Sequence, residues 1–263
     1  MTSPRAPLLD VRRLCRSFGG LKAVDGVCLS IHEREIVALI GPNGAGKTTC
    51  FNLVTCADRP TSGEVLLAGT SVCDWPAWRV AQAGVGRTFQ NIRLFKEMTA
   101  LDNVRTPMAF RAGYGPFAAV FRTKAFRAAE AKHEARAREL LALVDLAGVE
   151  EARARELPYG AQRRLEIARA LALEPRLLLL DEPAAGMNPS EKIELATLVR
   201  RLRDDHRLTV LLIEHDMSFV MGLSDRIYVL DHGEPIASGS PSEVQADPRV
   251  IEAYLGAPAP EHV

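Results

Sequence analysis

At 263 residues the chain is long enough for a full hydrophobic core and sits near the size at which one α/β domain begins to divide into lobes. Lys plus Arg and Asp plus Glu balance at 33 each, so no large surface field recruits a polyanion, and nucleic acid is not expected as a partner. The opening MTSPRAPLLD lacks the apolar core of a leader, and no run approaches the roughly 20 apolar residues that span a bilayer, so any membrane role is expected to come through another protein.

From residue 8 to residue 40, short β-rich pieces (LLDVRRL, AVDGVCLSI, EIVALIG) alternate with Gly and charge clusters and read as strands running into a central sheet. Cys15, Cys28, Cys50, Cys56 and Cys73 show no CxxC spacing and read as reduced, small buried hydrophobes. The apolar strand IVALI leads into GPNGAGKTT, residues 41–49, and then into a helical TTCFNLV. That strand, Gly-rich loop and helix order is the context of a phosphate-binding loop. Gly41, Gly44 and Gly46 let the backbone of Pro42, Asn43 and Ala45 wrap closely, so that successive N–H groups up to Thr49 point at phosphate oxygens from a helix N-terminus. Lys47 adds a charge on the terminal phosphates, and the Thr48 hydroxyl is a ligand for Mg²⁺.

Residues 122–149 are rich in Ala, Glu, Arg and Leu, and Leu140, Leu141, Val144 and Ala147 keep helical spacing on one face. Glu134 stands four residues before Arg138, a pairing worth a few tenths of a kcal/mol at about 0.2–0.5. After Gln162 the pattern becomes helix, strand, helix, strand (RRLEIARALAL, RLLLLDE, EKIELATLVRRLRDD, TVLLIEH), which predicts parallel strands joined by crossover helices. LLLLDE is a buried strand ending in two carboxylates: Asp181, placed to hold the metal through water, and Glu182, placed as general base for an attacking water. Asn188, Pro189 and Glu191 form an N-cap, a first helical position and a capping-box acid. RIYVLDHGEPIASG reads as a hairpin turning near His232 and Gly233, and the Pro-containing C-terminus reads as a fraying tail.

With these motifs in this order, the sequence resembles the ATP-binding-cassette (ABC) ATPases over nearly its whole length. The resemblance implies an α/β fold: a P-loop NTPase (RecA-like) core with an N-terminal antiparallel β subdomain and an inserted α-helical subdomain. The single ABC ATPase domain would then run over residues 1–263, with its nucleotide-binding core at about 1–90 and 160–240, a helical subdomain at about 91–160 and a short tail at 241–263. By the same resemblance Phe18 in RSFGG is the aromatic on which adenine stacks. Gln90 in GVGRTFQ is the glutamine that senses Mg²⁺ and water, and His215 in LLIEHD is the switch histidine that bonds the γ-phosphate and orients the water.

The signature segment departs from the family. LSGGQ opens a helix that contacts the γ-phosphate held by the opposite cassette; here the stretch is LPYGAQ, keeping Gly160 but placing Pro158 at the Ser position and Ala161 at the first Gln position. Proline suits a first helical turn but has no hydroxyl, so a bond across the interface worth about 1.5–3 kcal/mol is lost. Asn188 stands where many members carry Asp.

TFQNIRLFKEMTALDNV, PAAGMNP and LLIEHDMSFVMGLSDRIYVLDHG, with the insert at about 105–150, are similar to the ATPase subunits of bacterial branched-chain amino-acid importers. The implied cofactors are ATP and Mg²⁺. The implied partners are a second ABC ATPase subunit in a homo- or heterodimer, integral membrane permease subunits and, indirectly, a solute-binding protein. The implied location is the cytoplasmic face of the inner membrane. A non-identical partner would supply an intact signature to the site built on Lys47 and Glu182. Ile92, Leu94, Phe95 and Met98, flanked by Arg93 and Lys96, form the expected docking patch for the membrane subunit.

Other readings stay open. Another transported solute is one, because selection lies in other subunits. A catalytically silent regulatory cassette is another, favoured by Pro158 and opposed by intact Glu182 and His215. A non-transport cassette of DNA repair or the ribosome would carry a second cassette, a long coiled-coil insert or a basic face.

Overall fold

A computed structural model describes residues 6–111 and 116–255. In chain order, strands β1 (Leu9–Phe18), β2 (Leu21–Ile31) and β3 (Ile36–Ile40) lead to helix α1 (Lys47–Val54), then β4 (Ser62–Leu67), β5 (Thr70–Ser71), α2 (Ala77–Gln82) and β6 (Val85–Arg87). Helices α3 (Ala100–Arg105), α4 (Pro116–Val120), α5 (Lys124–Leu143) and α6 (Tyr159–Leu171) follow. The chain then runs through β7 (Leu177–Asp181), α7 (Pro189–His206), β8 (Thr209–Ile213), α8 (Met217–Leu223), β9 (Arg226–Asp231), β10 (Glu234–Gly239), α9 (Pro241–Ala246) and α10 (Pro248–Leu255). None of the described helices is long and apolar enough to cross a membrane.

The chain divides into two units, residues 1–85 with 176–263 and residues 86–175. The division assigns α6 to the second unit, later than the expected boundary near residue 160, because α6 packs on α3 and α5.

In the first unit only the last of the three early apolar pieces, β3, enters the central sheet. Phe18 pairs with Leu21 across a tight Gly19–Gly20 turn, so β1 and β2 form a hairpin and must be antiparallel. They lie in a four-stranded sheet of order β2-β1-β4-β5. The central sheet has the order β10-β9-β3-β8-β7, with β6 taking the edge beside β7 as the chain leaves the unit. β3 runs parallel to β8 and β9, and β7 parallel to β8. Every residue of β3, β7 and β8 is buried, which is why IVALI, LLLLD and TVLLI are continuous apolar runs without alternation. Leu39, Phe51, Leu179 and Leu211 meet β1 and β2 residues such as Leu14 and Val24 in one core cluster.

The capping box at α7 forms as expected: Asn188 Oδ1 accepts from the Glu191 N–H at 3.0 Å and Glu191 Oε2 accepts from the Asn188 N–H at 2.9 Å. The β9–β10 hairpin turns at His232 and Gly233, both left-handed with φ of 45° and 85°. The described part of the expected tail, 241–255, is folded as two short helices. Ser240 and Glu243 form a capping box for α9, and Val244 and Val250 are buried. Residues 256–263 lie outside the described residues. The cysteine expectation holds in part: Cys50 is buried and its thiol pushed up to about 12 by burial, whereas Cys28 is exposed.

In the second unit α5 is shorter than the predicted 122–149 segment. Arg122 is left-handed (φ 44°) and Thr123 accepts from the Phe126 N–H at 3.3 Å, starting the helix at Lys124. A left-handed Asp145 (φ 59°) ends it, so Leu146 turns inward and Ala147 is exposed, while Ala137, Leu140, Leu141 and Val144 are buried. Asn103 of α3 is fully buried; its amide donates to the carbonyls of Phe95 (3.0 Å) and Thr99 (2.9 Å) and its Oδ1 accepts from the Phe95 N–H (2.9 Å).

Candidate nucleotide and hydrolysis site

The 41–46 loop leaves the buried end of β3 and turns into α1. Gly41 (φ 151°) and Gly46 (φ 93°) are both obligatory there: a Cβ on the first would stand 2.1 Å from the Leu230 carbonyl oxygen, and one on the second 2.2 Å from that of Ala23. Gly46 is the N-cap of α1, offers no side-chain acceptor, and no acid occupies the first turn. The first-turn N–H groups and the dipole are therefore directed at whatever anion the loop takes. Lys47 is buried, and its Nζ donates to the carbonyls of Gly41 (2.7 Å) and Pro42 (2.8 Å). Burial depresses its pKa, opposed by the charges of Glu182 and Asp181, which fixes those three groups as electrostatic neighbours. Thr48, next in the chain, is exposed beside it, as are Asn43 and Gly44, while Pro42 and Thr49 are half-buried and Ala45 is buried.

Asp181 is the buried last residue of β7. Glu182 follows in the left-handed region (φ 48°), a conformation costing about 1–3 kcal/mol in a non-glycine residue. Its N–H donates to the Ile213 carbonyl at 2.9 Å, which ties the turn after β7 to the end of β8. His215 Nδ1 lies 3.8 Å from Glu182 Oε2 and 3.8 Å from Glu214 Oε2. A base candidate and an imidazole thus stand together, with the Lys47 ammonium in the field of the same Glu182.

Two contributors escaped the sequence reading. Glu214 is 1% exposed and its carboxylate accepts backbone N–H bonds from Ala184 (2.7 Å) and His215 (3.1 Å). Burial raises its pKa, and these N–H bonds pull the other way. An acid ending the apolar run TVLLIE was the available signal. Tyr254, in the segment read as a tail, stands near the backbone of Gly41, and burial pushes its phenol up to about 12. Phe18, at the end of β1, is about half exposed with the Arg16 guanidinium 4.5 Å over its ring, so one face of the ring is already taken.

Gln90 and Gly160 lie in the second unit. Arg163 of α6 donates to the carbonyls of Phe89 (2.9 Å) and Gln90 (2.5 Å) and pairs with Glu166, whose Oε1 accepts from the Arg93 N–H at 2.8 Å. Arg163 and Glu166 are both buried, so the stretch from Phe89 to Arg93 is pinned to the helix that Gly160 opens. Pro158 is the N-cap of α6 and not, as expected, in its first turn; it leaves that helix without a side-chain cap. Of the expected docking patch, Phe95 and Met98 are exposed and Ile92 half-buried, but Leu94 is buried in the unit's own core.

Residues 24–185 match the ABC transporter family, and residues 234–260 match the branched-chain amino acid ATP-binding cassette transporter family. The high-affinity branched-chain amino acid transport ATP-binding protein LivG of Salmonella typhimurium is 49% identical over 250 residues, covering 95% of this chain and 98% of that protein. Among solved structures, the ADP conformation of MJ1267, an ATP-binding cassette of an ABC transporter, superposes with a TM-score of 0.82 at 30% identity, covering 95% of this chain and 99% of that one. The dimeric post-hydrolysis cassette MJ0796, bound to ADP and Pi, gives 0.75 at 27% identity over 88% and 98%. A phosphate loop with its lysine, two acids closing a buried strand and a histidine beside them thus sit on a cassette fold end to end, and the chain belongs to the ABC transporter family as one of its nucleotide-binding ATPases.

Proposed function

We propose that this ATPase powers an importer of branched-chain amino acids or closely related solutes, docked on separate permease subunits at the cytoplasmic face of the inner membrane and fed by a solute-binding protein. The observation that carries this reading is the 49% identity to LivG across nearly the full length of both chains. The match of residues 234–260 to the branched-chain family adds support in the segment that reaches Gly41 through Tyr254.

In this reading the N–H groups of residues 41–49 and the Lys47 ammonium hold the triphosphate, and Phe18 stacks on adenine through its open ring face. Thr48 and Asp181 offer hard oxygen donors. That set suits Mg²⁺, which takes one or two carboxylates and completes its shell with phosphate oxygens and water. When bound, the metal neutralises charge on the phosphates. Glu182 takes the proton of a water as the water oxygen bonds the γ-phosphorus and the bond to the departing ADP oxygen breaks. His215 donates to the γ-phosphate oxygens as their charge redistributes. Two cassettes pair in this reading, MJ0796 being a dimeric cassette bound to ADP and Pi, with Gly160 at the start of α6 set toward the partner's phosphate.

The test is reconstitution of the chain with its permease in vesicles and measurement of ATP-driven uptake. Saturable leucine, isoleucine or valine uptake that stops with Glu182→Gln is expected. Uptake of an unrelated solute only would overturn the substrate and leave the ATPase standing.

Pro158 favours a second reading of the assembly: a heterodimer in which a different cassette supplies the intact signature to this chain's Lys47 and Glu182. Full activity of the purified homodimer, unchanged by Pro158→Ser, would rule it out.

A further inference from the structure

Between Asp102 and Glu130 the sequence has no acidic residue and five basic ones, Arg105, Arg111, Arg122, Lys124 and Arg127, in a chain whose charges cancel overall. Phe110, Tyr114, Phe117, Phe121 and Phe126 fall in the same stretch. Arg105 is taken up by Asp102 and Glu130. Arg122, Lys124 and Arg127 are exposed.

Helix α4 is inverted relative to a core-building helix. Phe117, Val120 and Phe121 are 80%, 76% and 73% exposed, the highest values for any large hydrophobic among the described residues. The small Ala118 and Ala119 between them are half-buried. The spacing i, i+3, i+4 sets the three large side chains on one face, and a Phe121 N–H to Phe117 carbonyl bond of 3.0 Å carries the turn through Phe121. The chain then reverses at the left-handed Arg122, and Thr123 caps α5. Lys124 and Arg127 consequently stand at the start of α5, where the helix dipole disfavours cations and no acid lies in the first turn. Arg127 Nε donates to the Arg122 backbone carbonyl at 3.0 Å, tying the start of α5 back to the turn that ends α4.

We propose that this face is an interfacial anchor. Phe117, Val120 and Phe121 enter the headgroup boundary of a bilayer, and Arg122, Lys124 and Arg127 engage the phosphates of anionic lipids. An exposed apolar and aromatic face followed directly in the chain by exposed cations, in a stretch without acids from 103 to 129, complements a layer of negative headgroups over hydrocarbon. The ATPase thereby touches lipid directly and not only through a permease. This holds whichever solute is transported.

The test is co-sedimentation of the full chain with phosphatidylglycerol–phosphatidylethanolamine vesicles and with pure phosphatidylcholine vesicles. Binding to the anionic vesicles is expected, weakened about tenfold by Phe117→Ser with Phe121→Ser, and about tenfold by Lys124→Glu with Arg127→Glu. Raising salt from about 0.05 to about 0.5 M should weaken it further. The melting temperature should stay within about 2 °C and basal ATPase within about twofold of the parent, because none of these residues builds the core or the site. Phe117→Trp should shift its emission to the blue on anionic vesicles only. Failure of the parent chain to sediment, or sedimentation untouched by both double variants, overturns the proposal. So does a parent that ignores vesicles while the Phe117→Ser, Phe121→Ser pair loses permease capture, which would make the face a protein contact.

Discussion

Glu214 Oε1 accepts the Ala184 N–H at 2.7 Å, so the turn that carries Glu182 is held by the residue immediately before His215. With Oε2 accepting from His215 itself at 3.1 Å, one buried carboxylate sets the spacing between base candidate and switch histidine. Glu214→Gln replaces one of the two acceptors by an amide that faces an N–H, leaving a buried donor unpaired at about 1–3 kcal/mol. If that cost falls on the alignment of the site, kcat drops about tenfold to a hundredfold while ATP affinity stays within about threefold. Steady-state ATPase beside equilibrium nucleotide binding separates the two. A matched loss of both would show Glu214 to be merely structural.

Glu182→Gln removes the proposed proton acceptor and keeps the shape. Turnover should fall by about 10²–10⁴ with ATP binding retained, because Lys47 and the loop N–H groups are untouched. Loss of binding, read by nucleotide fluorescence or calorimetry, would count against the base assignment.

Gly46→Ala drives a Cβ against the Ala23 carbonyl at 2.2 Å and forces alanine into φ 93°. The loop must open, and nucleotide affinity should fall more than about a hundredfold. Gly44→Ala is the control: its φ of 84° is strained, but no atom lies within 4 Å of the added Cβ, so it should lose less. Equal losses in the two variants would mean that backbone strain, and not the close approach, governs the loop.

Pro158→Ser restores an acceptor at the N-cap of α6, which is worth about 1 kcal/mol to the helix and should raise the melting temperature. Its hydroxyl also offers a donor to a phosphate on a facing cassette, worth about 1.5–3 kcal/mol, so homodimer ATPase should rise about tenfold to a hundredfold. A higher melting temperature with unchanged turnover would leave only the capping effect.

The sequence made legible what local chemistry determines. GPNGAGKTT marks strand, loop and helix together, Asn188 and Glu191 write their own cap, and the His232–Gly233 pair dictates a hairpin turn. What it hid depends on distant packing. The helical pattern through Ala147 could not reveal that Asp145 adopts a left-handed conformation and ends α5 early. LPYGAQ did not show Pro158 as a cap position, since that depends on where α6 starts. Leu94 looked like surface because its three apolar neighbours partly are, and Tyr254 looked like tail because its partner, Gly41, is more than two hundred positions away.

Tyr254 also joins the two ends of the first unit. It sits in the last turn of α10 near the backbone of Gly41, and Arg249, Glu252 and Ala253 of the same helix share a cavity with Pro42, Asn43, Gly44 and Ala45. Helix α10 thus forms one wall of the space over the Gly-rich loop, and its side chains are part of what an anion entering there meets.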